Sequence, residues 1–157
     1  MIRRSLAMYF SIVALALSTF AQKSSTKMST GPAPDKAYLQ HVLDTWSTLN
    51  PADMAQYYAQ GDRLFFDIAP VKYSNWAEYQ KGVTELLKGY KSLKLTLSDD
   101  AQLHREGDLL WAAGTLKEDA VAPGGKHELA TMRWTVIFQK MDGKWLIVHE
   151  HTSEPLQ

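Results

Sequence analysis

The chain has 157 residues, which is enough for one domain with a sizeable hydrophobic core. Its 17 basic and 17 acidic residues balance, so charge gives no support for binding nucleic acid or an anionic membrane. The chain has no cysteine, which excludes disulfides, thiolate metal ligands and a cysteine nucleophile.

The N-terminal residues have the order of a secretory signal peptide. Arg3 and Arg4 precede an apolar run over 6–17, and Thr19 and Ala21 are the small residues of a cleavage site. We therefore predict a signal peptide at 1–21, a Ser- and Pro-rich linker at 22–34 and a domain at 35–157. Cleavage predicts a secreted or periplasmic protein without stable membrane association. An uncleaved anchor, the alternative, would also hold the domain outside the cytoplasm.

Three helices are predicted in the first half of the chain. Asp35 can cap the first, and Asn50 can cap a short second helix that ends near Gly61. Asn75 and Glu78 have capping-box spacing for the third. Apolar residues recur at helical spacing, and the inward faces comprise Tyr38, Leu39, Val42, Leu43, Trp46 and Leu49, then Trp76, Tyr79, Val83, Leu86, Leu87 and Tyr90.

Strands dominate the second half, where apolar residues alternate with polar ones from Leu93 onward. Turns are predicted at Gly107-Asp108, in the Pro-Gly-Gly loop at 122–126 and near Asp142-Gly143. The predicted strands cover 64–68, 93–97, 109–117, 129–140 and 145–152. Helices followed by long strands predict an α+β domain whose helices cover one face of a curved antiparallel sheet.

The stretch 142–153, with its Trp-Leu-Ile-Val-His-Glu-His core, resembles the closing hairpin of SnoaL-like and ketosteroid isomerase-like domains. It is also similar to the association domain of calcium/calmodulin-dependent protein kinase. The resemblance covers 35–155 and implies the cone-shaped, nuclear transport factor 2-like fold. The segment 66–70 is similar to the strand that carries the isomerases' general-base aspartate, which implies that role for Asp67. Trp46 falls where those isomerases have an oxyanion tyrosine, so steroid isomerisation does not transfer.

The register of the last hairpin decides which side chains share a face. A two-residue loop at Asp142-Gly143 pairs Met141 with Lys144, whereas a three-residue loop pairs Lys140 with Lys144. We favour the three-residue loop, because only one glycine is present for a left-handed position. That register places on one face Trp134, Val136, Phe138, Leu146, Val148, Glu150 and Thr152, and the isomerase resemblance aims this face at the pocket.

Two carboxylates are candidate catalytic groups, Asp67 and Glu150. Burial and mutual repulsion would raise the pKa of either one towards the range of a general base. The alternative is a structural carboxylate bonded to the backbone or to Arg133. The candidate ligand contacts are Tyr57, Tyr58, Trp76, Tyr79, Trp111, Trp134 and Thr152, of which the aromatic ones can equally be core residues. They predict an apolar or aromatic ligand and no cofactor.

His149 and His151 are two residues apart on a strand and project to one face together with Arg133. One interpretation is an alternative site or a metal site, with His104, His127 or a carboxylate as third ligand. The other is an interface on the outer face of the sheet, where the superfamily resemblance implies a homodimer.

Three functions therefore remain open at the level of sequence. The first is an exported enzyme that uses acid/base chemistry of the isomerase, cyclase or dehydratase type. The second is a non-catalytic dimeric binding or assembly module. The third is a metalloprotein that uses the His-x-His pair.

Overall fold

The computed structural model describes residues 32–156. The predicted signal peptide at 1–21 and most of the linker lie outside this range. The helices are α1 (Lys36–Thr45) and α2 (Trp76–Leu86), with 3₁₀ turns at Trp46–Thr48, Pro51–Gln56 and Pro123–Gly125. The strands are β1 (Asp62–Phe66), β2 (Tyr73–Asn75), β3 (Ser92–Leu97), β4 (Gln102–Glu106), β5 (Leu109–Val121), β6 (His127–Met141) and β7 (Lys144–Ser153).

Both α-helices begin at the predicted caps. The Asp35 carboxylate accepts the Tyr38 amide at 2.8 Å, and the Asn75 side chain accepts the Glu78 amide at 2.9 Å. The predicted second helix is a 3₁₀ segment that ends at Gln56, short of Gly61. Asn50 still caps it, so the local signals gave its start correctly but not its helix type or its end.

The strands form one sheet in the order β2-β1-β7-β6-β5-β3, and β4 pairs with the first half of β5. All pairings are antiparallel except β1 with β7, where Phe65 lies opposite Glu150. Neither β2 nor β4 has a counterpart among the predicted strands. The helices pack on one face of the curved sheet, so the predicted α+β class is confirmed.

The core lies between the helices and the concave face of the sheet. Alternate residues of the long strands are buried there, including Leu110, Leu116, Trp134 and Phe138. Within the described residues, none of the helices is both long and apolar enough to cross a bilayer.

The end of the predicted linker packs against the domain. Pro34 is buried, and the Trp145 indole donates to the Pro32 carbonyl oxygen at 3.0 Å. The folded unit therefore includes residues 32–34, which the sequence placed in the linker.

The predicted three-residue loop of the last hairpin is wrong. Met141 pairs with Lys144 across a two-residue turn, and both Asp142 (φ 49°) and Gly143 (φ 83°) are left-handed. Aspartate tolerates this conformation, so the turn does not need a second glycine.

A bulge between the pairs Phe138–Ile147 and Ile137–His149 then shifts the register by one residue. Glu150 and Thr152 consequently share the concave face with Trp134, as predicted. Leu146 and Val148 do not, because the buried residues of that half of β7 are Trp145 and Ile147.

Candidate functional site

A cavity of about 230 Å³ lies between α2 and the concave face of the sheet. Its apolar wall comes from helix residues such as Leu43 and Val83 and from sheet residues such as Leu95, Leu116 and Met132. Asp67, Tyr79, Trp134, Glu150 and Thr152 also line it. The sequence prediction therefore placed five of its nine catalytic and ligand-binding candidates on one cavity.

Glu150 is 3% exposed and accepts hydrogen bonds from three side chains. The Trp134 indole N–H donates to Oε1 at 2.6 Å, the Tyr79 hydroxyl donates to Oε2 at 3.3 Å, and the Tyr58 hydroxyl also donates to Oε2. Burial raises the pKa of Glu150, and the bonds from Tyr58 and Trp134 oppose that rise. The expected alternative partners, the backbone and Arg133, do not contact this carboxylate.

Aromatic packing holds the two tyrosines in place. The Tyr58 ring stacks on Trp76 with centroids 4.2 Å apart, and the Tyr79 ring stacks on Phe65 at 5.4 Å. Burial, followed by the Glu150 charge, raises the pKa of both tyrosines well above the ordinary value. Both hydroxyls are therefore neutral donors that are committed to Glu150.

Asp67 directly follows β1 and, by strand alternation from buried Phe65, points to the concave side. Its Oδ1 accepts the Ile68 amide at 2.8 Å, and its Oδ2 has no donor within residues 32–156. Burial raises the pKa of Asp67, and the Ile68 amide partly offsets this effect. Asp67 thus combines a place on the cavity wall with an oxygen that is free to exchange a proton.

Four predicted ligand contacts lie away from the cavity surface. Tyr58 and Trp76 are buried behind it and support Glu150. Tyr57 lines a separate cleft beside Tyr38 and Trp145. Trp111 is 43% exposed on the convex face of the sheet, because its register on β5 directs it outward.

The alternative site residues also lie on the convex face. His149 Nδ1 is 2.8 Å from the Leu64 carbonyl oxygen, and the Phe66 ring packs against both His149 and His151. Arg133 is exposed and donates to the Glu154 carbonyl oxygen at 3.4 Å. Within residues 32–156, no three His, Asp or Glu side chains are grouped to hold a metal ion.

Three further carboxylates and a tyrosine at the cavity were not predicted: Glu118, Glu128, Glu154 and Tyr90. Strand alternation could have identified Glu118 and Glu128, since Glu118 shares a face with Leu116 on β5. Glu154 follows the last strand, where the sequence gives no periodic signal. None of the residues lining the cavity is Lys, Arg or His.

Solved structures share this architecture. A nuclear transport factor 2-like protein from Salmonella enterica serovar Typhimurium is 18% identical, with a TM-score of 0.67 over 78% of this chain and 92% of its own. A protein from Xanthomonas campestris, provisionally named a calcium/calmodulin dependent protein kinase II association domain, is 22% identical, with a TM-score of 0.66 over 83% and 95%. A provisionally named dehydratase from Streptomyces avermitilis is 11% identical, with a TM-score of 0.67 over 78% and 95%.

These identities are low, so the structural likeness shows the nuclear transport factor 2-like fold alone. No curated protein matches the chain. A family model described as the SnoaL-like domain matches residues 36–157. The chain therefore belongs to the SnoaL-like family.

Proposed function

We propose that this protein is an enzyme that transfers a proton on an apolar or aromatic small molecule held in the concave cavity. The main support for the proposal is the position of Asp67. This residue lies at the wall of a largely apolar cavity, and within residues 32–156 no donor bonds to its Oδ2. Burial raises its pKa, which brings the carboxyl group closer to the range where it can both take and return a proton.

Glu150 has a different role in this proposal. Its oxygens already accept three hydrogen bonds, so the carboxylate has little capacity left to accept a proton from a ligand. It instead positions Tyr79 and Trp134, which form part of the cavity wall. Asp67 is the catalytic residue of the pair, and Glu150 is a positioning residue.

A dehydration is the best supported of the isomerase, cyclase and dehydratase reactions. In a dehydration, Asp67 would remove a proton from carbon and return it to the leaving hydroxyl group, so that water departs. The name given to the Streptomyces avermitilis relative agrees with this class. Both buried tyrosine hydroxyls donate to Glu150, so neither is free to stabilise the full enolate of a ketosteroid-type isomerisation. A dehydration in which the hydroxyl group leaves as the proton is removed builds up less negative charge on the ketone oxygen.

The test is a panel of cyclic β-hydroxy ketones, with dehydrated product detected by mass spectrometry. Asp67→Asn should abolish turnover, while Glu106→Gln, an exposed change on β4, should leave it unchanged. Glu150→Gln should lower turnover less than Asp67→Asn does, and it should move the limb of the pH profile assigned to Asp67 to lower pH, because the Glu150 charge no longer opposes ionisation of Asp67. Turnover that survives Asp67→Asn would refute the assignment.

A second candidate function is a non-catalytic dimeric module. The convex face exposes large apolar side chains, with Leu109 50%, Trp111 43% and Leu129 72% exposed. The name of the Xanthomonas campestris relative describes an association domain. Sedimentation should detect a homodimer that Trp111→Glu dissociates, and a wild-type monomer at micromolar concentration would exclude this candidate.

Export remains part of the proposal. The Arg-rich start, apolar run and small residues at 19 and 21 support removal of 1–21 during secretion. Expression of the full chain in a bacterial host, followed by intact-mass analysis of the periplasmic fraction, should give a species that begins at Gln22. A full-length chain retained in the cytoplasm would contradict it.

A further inference from the structure

The charged groups around the cavity all have one sign. Five carboxylates line it, from Asp67, Glu118, Glu128, Glu150 and Glu154, and the lining includes no basic side chain. A partly enclosed and partly apolar space strengthens the field of these charges compared with open water. The cavity itself marks the binding site, and the charges around it constrain what can occupy the site.

Two of the five carboxylates already have partners. Glu128 pairs with Lys126 at 2.7 Å and accepts the Tyr90 hydroxyl at 3.1 Å. Glu150 accepts its three donors from tyrosine and tryptophan. Neither carboxylate therefore needs a ligand to stabilise its negative charge.

The other three carboxylates lack such compensation. Asp67, Glu118 and Glu154 make no ion pair with any residue in the range 32–156. Arg133, which lies near Glu154, contacts its carbonyl oxygen rather than its carboxylate. Burial raises the pKa of Glu118, and the negative charges of Glu154, Glu128 and Asp67 raise it further. A positive charge placed among these groups would relieve their mutual repulsion.

The uncharged part of the wall also suits a cation. Trp46, Tyr79, Tyr90 and Trp134 line the cavity, and the faces of such rings attract ammonium groups. Aliphatic residues of α2 and β3 supply the surface for an apolar body.

We propose that the ligand of this cavity is a hydrophobic amine, whose apolar ring system contacts the helix and sheet residues and whose ammonium group lies near Asp67 and Glu118. The inference rests on the proposed function in one respect, that the concave cavity is the ligand site. It further specifies that the ligand carries a positive charge, which neither the family nor the fold indicates. The same field disfavours an anionic ligand.

The test compares three probes that share one ring system: 2-naphthylmethylamine, 2-naphthalenemethanol and 2-naphthoate. Calorimetry at neutral pH and low salt, with quenching of tryptophan fluorescence as a second readout, gives the affinity of each. The amine should bind at least about tenfold more tightly than the alcohol, and the carboxylate should bind most weakly.

Single substitutions should identify the carboxylates that favour the amine over the alcohol. Glu118→Gln and Asp67→Asn should each weaken amine binding several-fold more than alcohol binding. Alcohol binding also reports that each variant is folded. Glu106→Gln, on exposed β4, is the matched control and should change neither affinity.

Two results would overturn the inference. Equal affinity for the amine and the alcohol, or a preference for the carboxylate, would show a neutral or anion-binding cavity, and the proposed proton-transfer function would survive. Binding of none of the three probes would count against both the amine inference and the cavity as the ligand site.

Discussion

Removal of a single buried hydroxyl group should measure how much the hydrogen bonds to Glu150, here called the Glu150 network, contribute to stability. Tyr58 is 2% exposed and donates its hydroxyl hydrogen to Glu150, so Tyr58→Phe leaves the carboxylate with two donors in place of three. A hydrogen bond to a charged group contributes about 1.5–3 kcal/mol, and we expect a loss of stability in that range. The ring and its stacking on Trp76 are retained, so packing should contribute little.

The neighbouring tyrosine gives a matched control. Tyr57 is half-buried, and its hydroxyl lies 3.2 Å from His41 Nε2 and 3.5 Å from Thr45 Oγ1. These partners are accessible to water, so Tyr57→Phe should cost about 0.5 kcal/mol or less. Urea unfolding at neutral pH, followed by tryptophan fluorescence, gives both free energies, provided that the denaturant slopes agree.

A double-mutant cycle tests whether the partner is a charged carboxylate. In the Glu150→Gln background the acceptor is neutral, and the amide nitrogen can donate to the tyrosine oxygens. Tyr58→Phe should then cost about 1 kcal/mol or less, which gives a measurable coupling energy. An equal cost in both backgrounds, or a wild-type cost no larger than that of Tyr57→Phe, would refute the network argument.

Three other predictions concern pH, packing and capping. Burial raises the pKa of Glu150 above its ordinary value of 4.5, so the folded state binds this proton more tightly than the unfolded state does. The free energy of unfolding should therefore fall as pH rises above 4.5, and urea unfolding measured across this pH range should show a shallower fall for Glu150→Gln. A Cβ on Gly114 would lie 2.8 Å from the Ala101 Cα atom, so Gly114→Ala should cost about 1–3 kcal/mol by urea unfolding. An unchanged stability would show that the segment at Ala101 can move away from β5 freely. Asn75→Ala removes the cap on the Glu78 amide and should cost about 1 kcal/mol by thermal unfolding, whereas Asn75→Asp should retain most of the stability.

Local signals in the sequence were sufficient to predict most of the helices and strands. The caps at Asp35 and Asn75 and the period-two pattern from Leu93 depend on neighbours within a few residues, and the structure confirms all three. The parallel pairing of β1 with β7 depends instead on residues 85 positions apart, as for Phe65 and Glu150. Such a contact has no local signature, so the sequence predicted β1 and β7 but not their pairing.

The candidate site was predicted in part for the same reason. Asp67 and Glu150 were placed through a resemblance to known hairpins and strands, and the cavity brings them together. Trp111 lies on the exposed convex face, away from the cavity, and the sequence could not show this because aromatic residues suit a pocket and an exposed sheet face equally well. The donors to Glu150 could not be deduced, since they come from the segment that follows the 3₁₀ turn at Pro51–Gln56, from a helix and from a strand, which meet only in the folded chain.

The bulge in β7 allows one strand to bury Trp145 and Ile147 near the turn and Glu150 further along. At the turn, Trp145 and Ile147 must be buried, and strict alternation from them would direct His149 and His151 into the cavity. The extra residue at Val148 reverses the alternation, so Glu150 reaches Trp134 and the tyrosines while both histidines face outward. The acidic character of the cavity therefore depends on a backbone irregularity that hydrophobic patterning alone would not reveal. A deletion of Val148 should therefore remove the bulge but keep His149 opposite Ile137 and Glu150 opposite Val136, so the buried carboxylate should stay at the cavity wall.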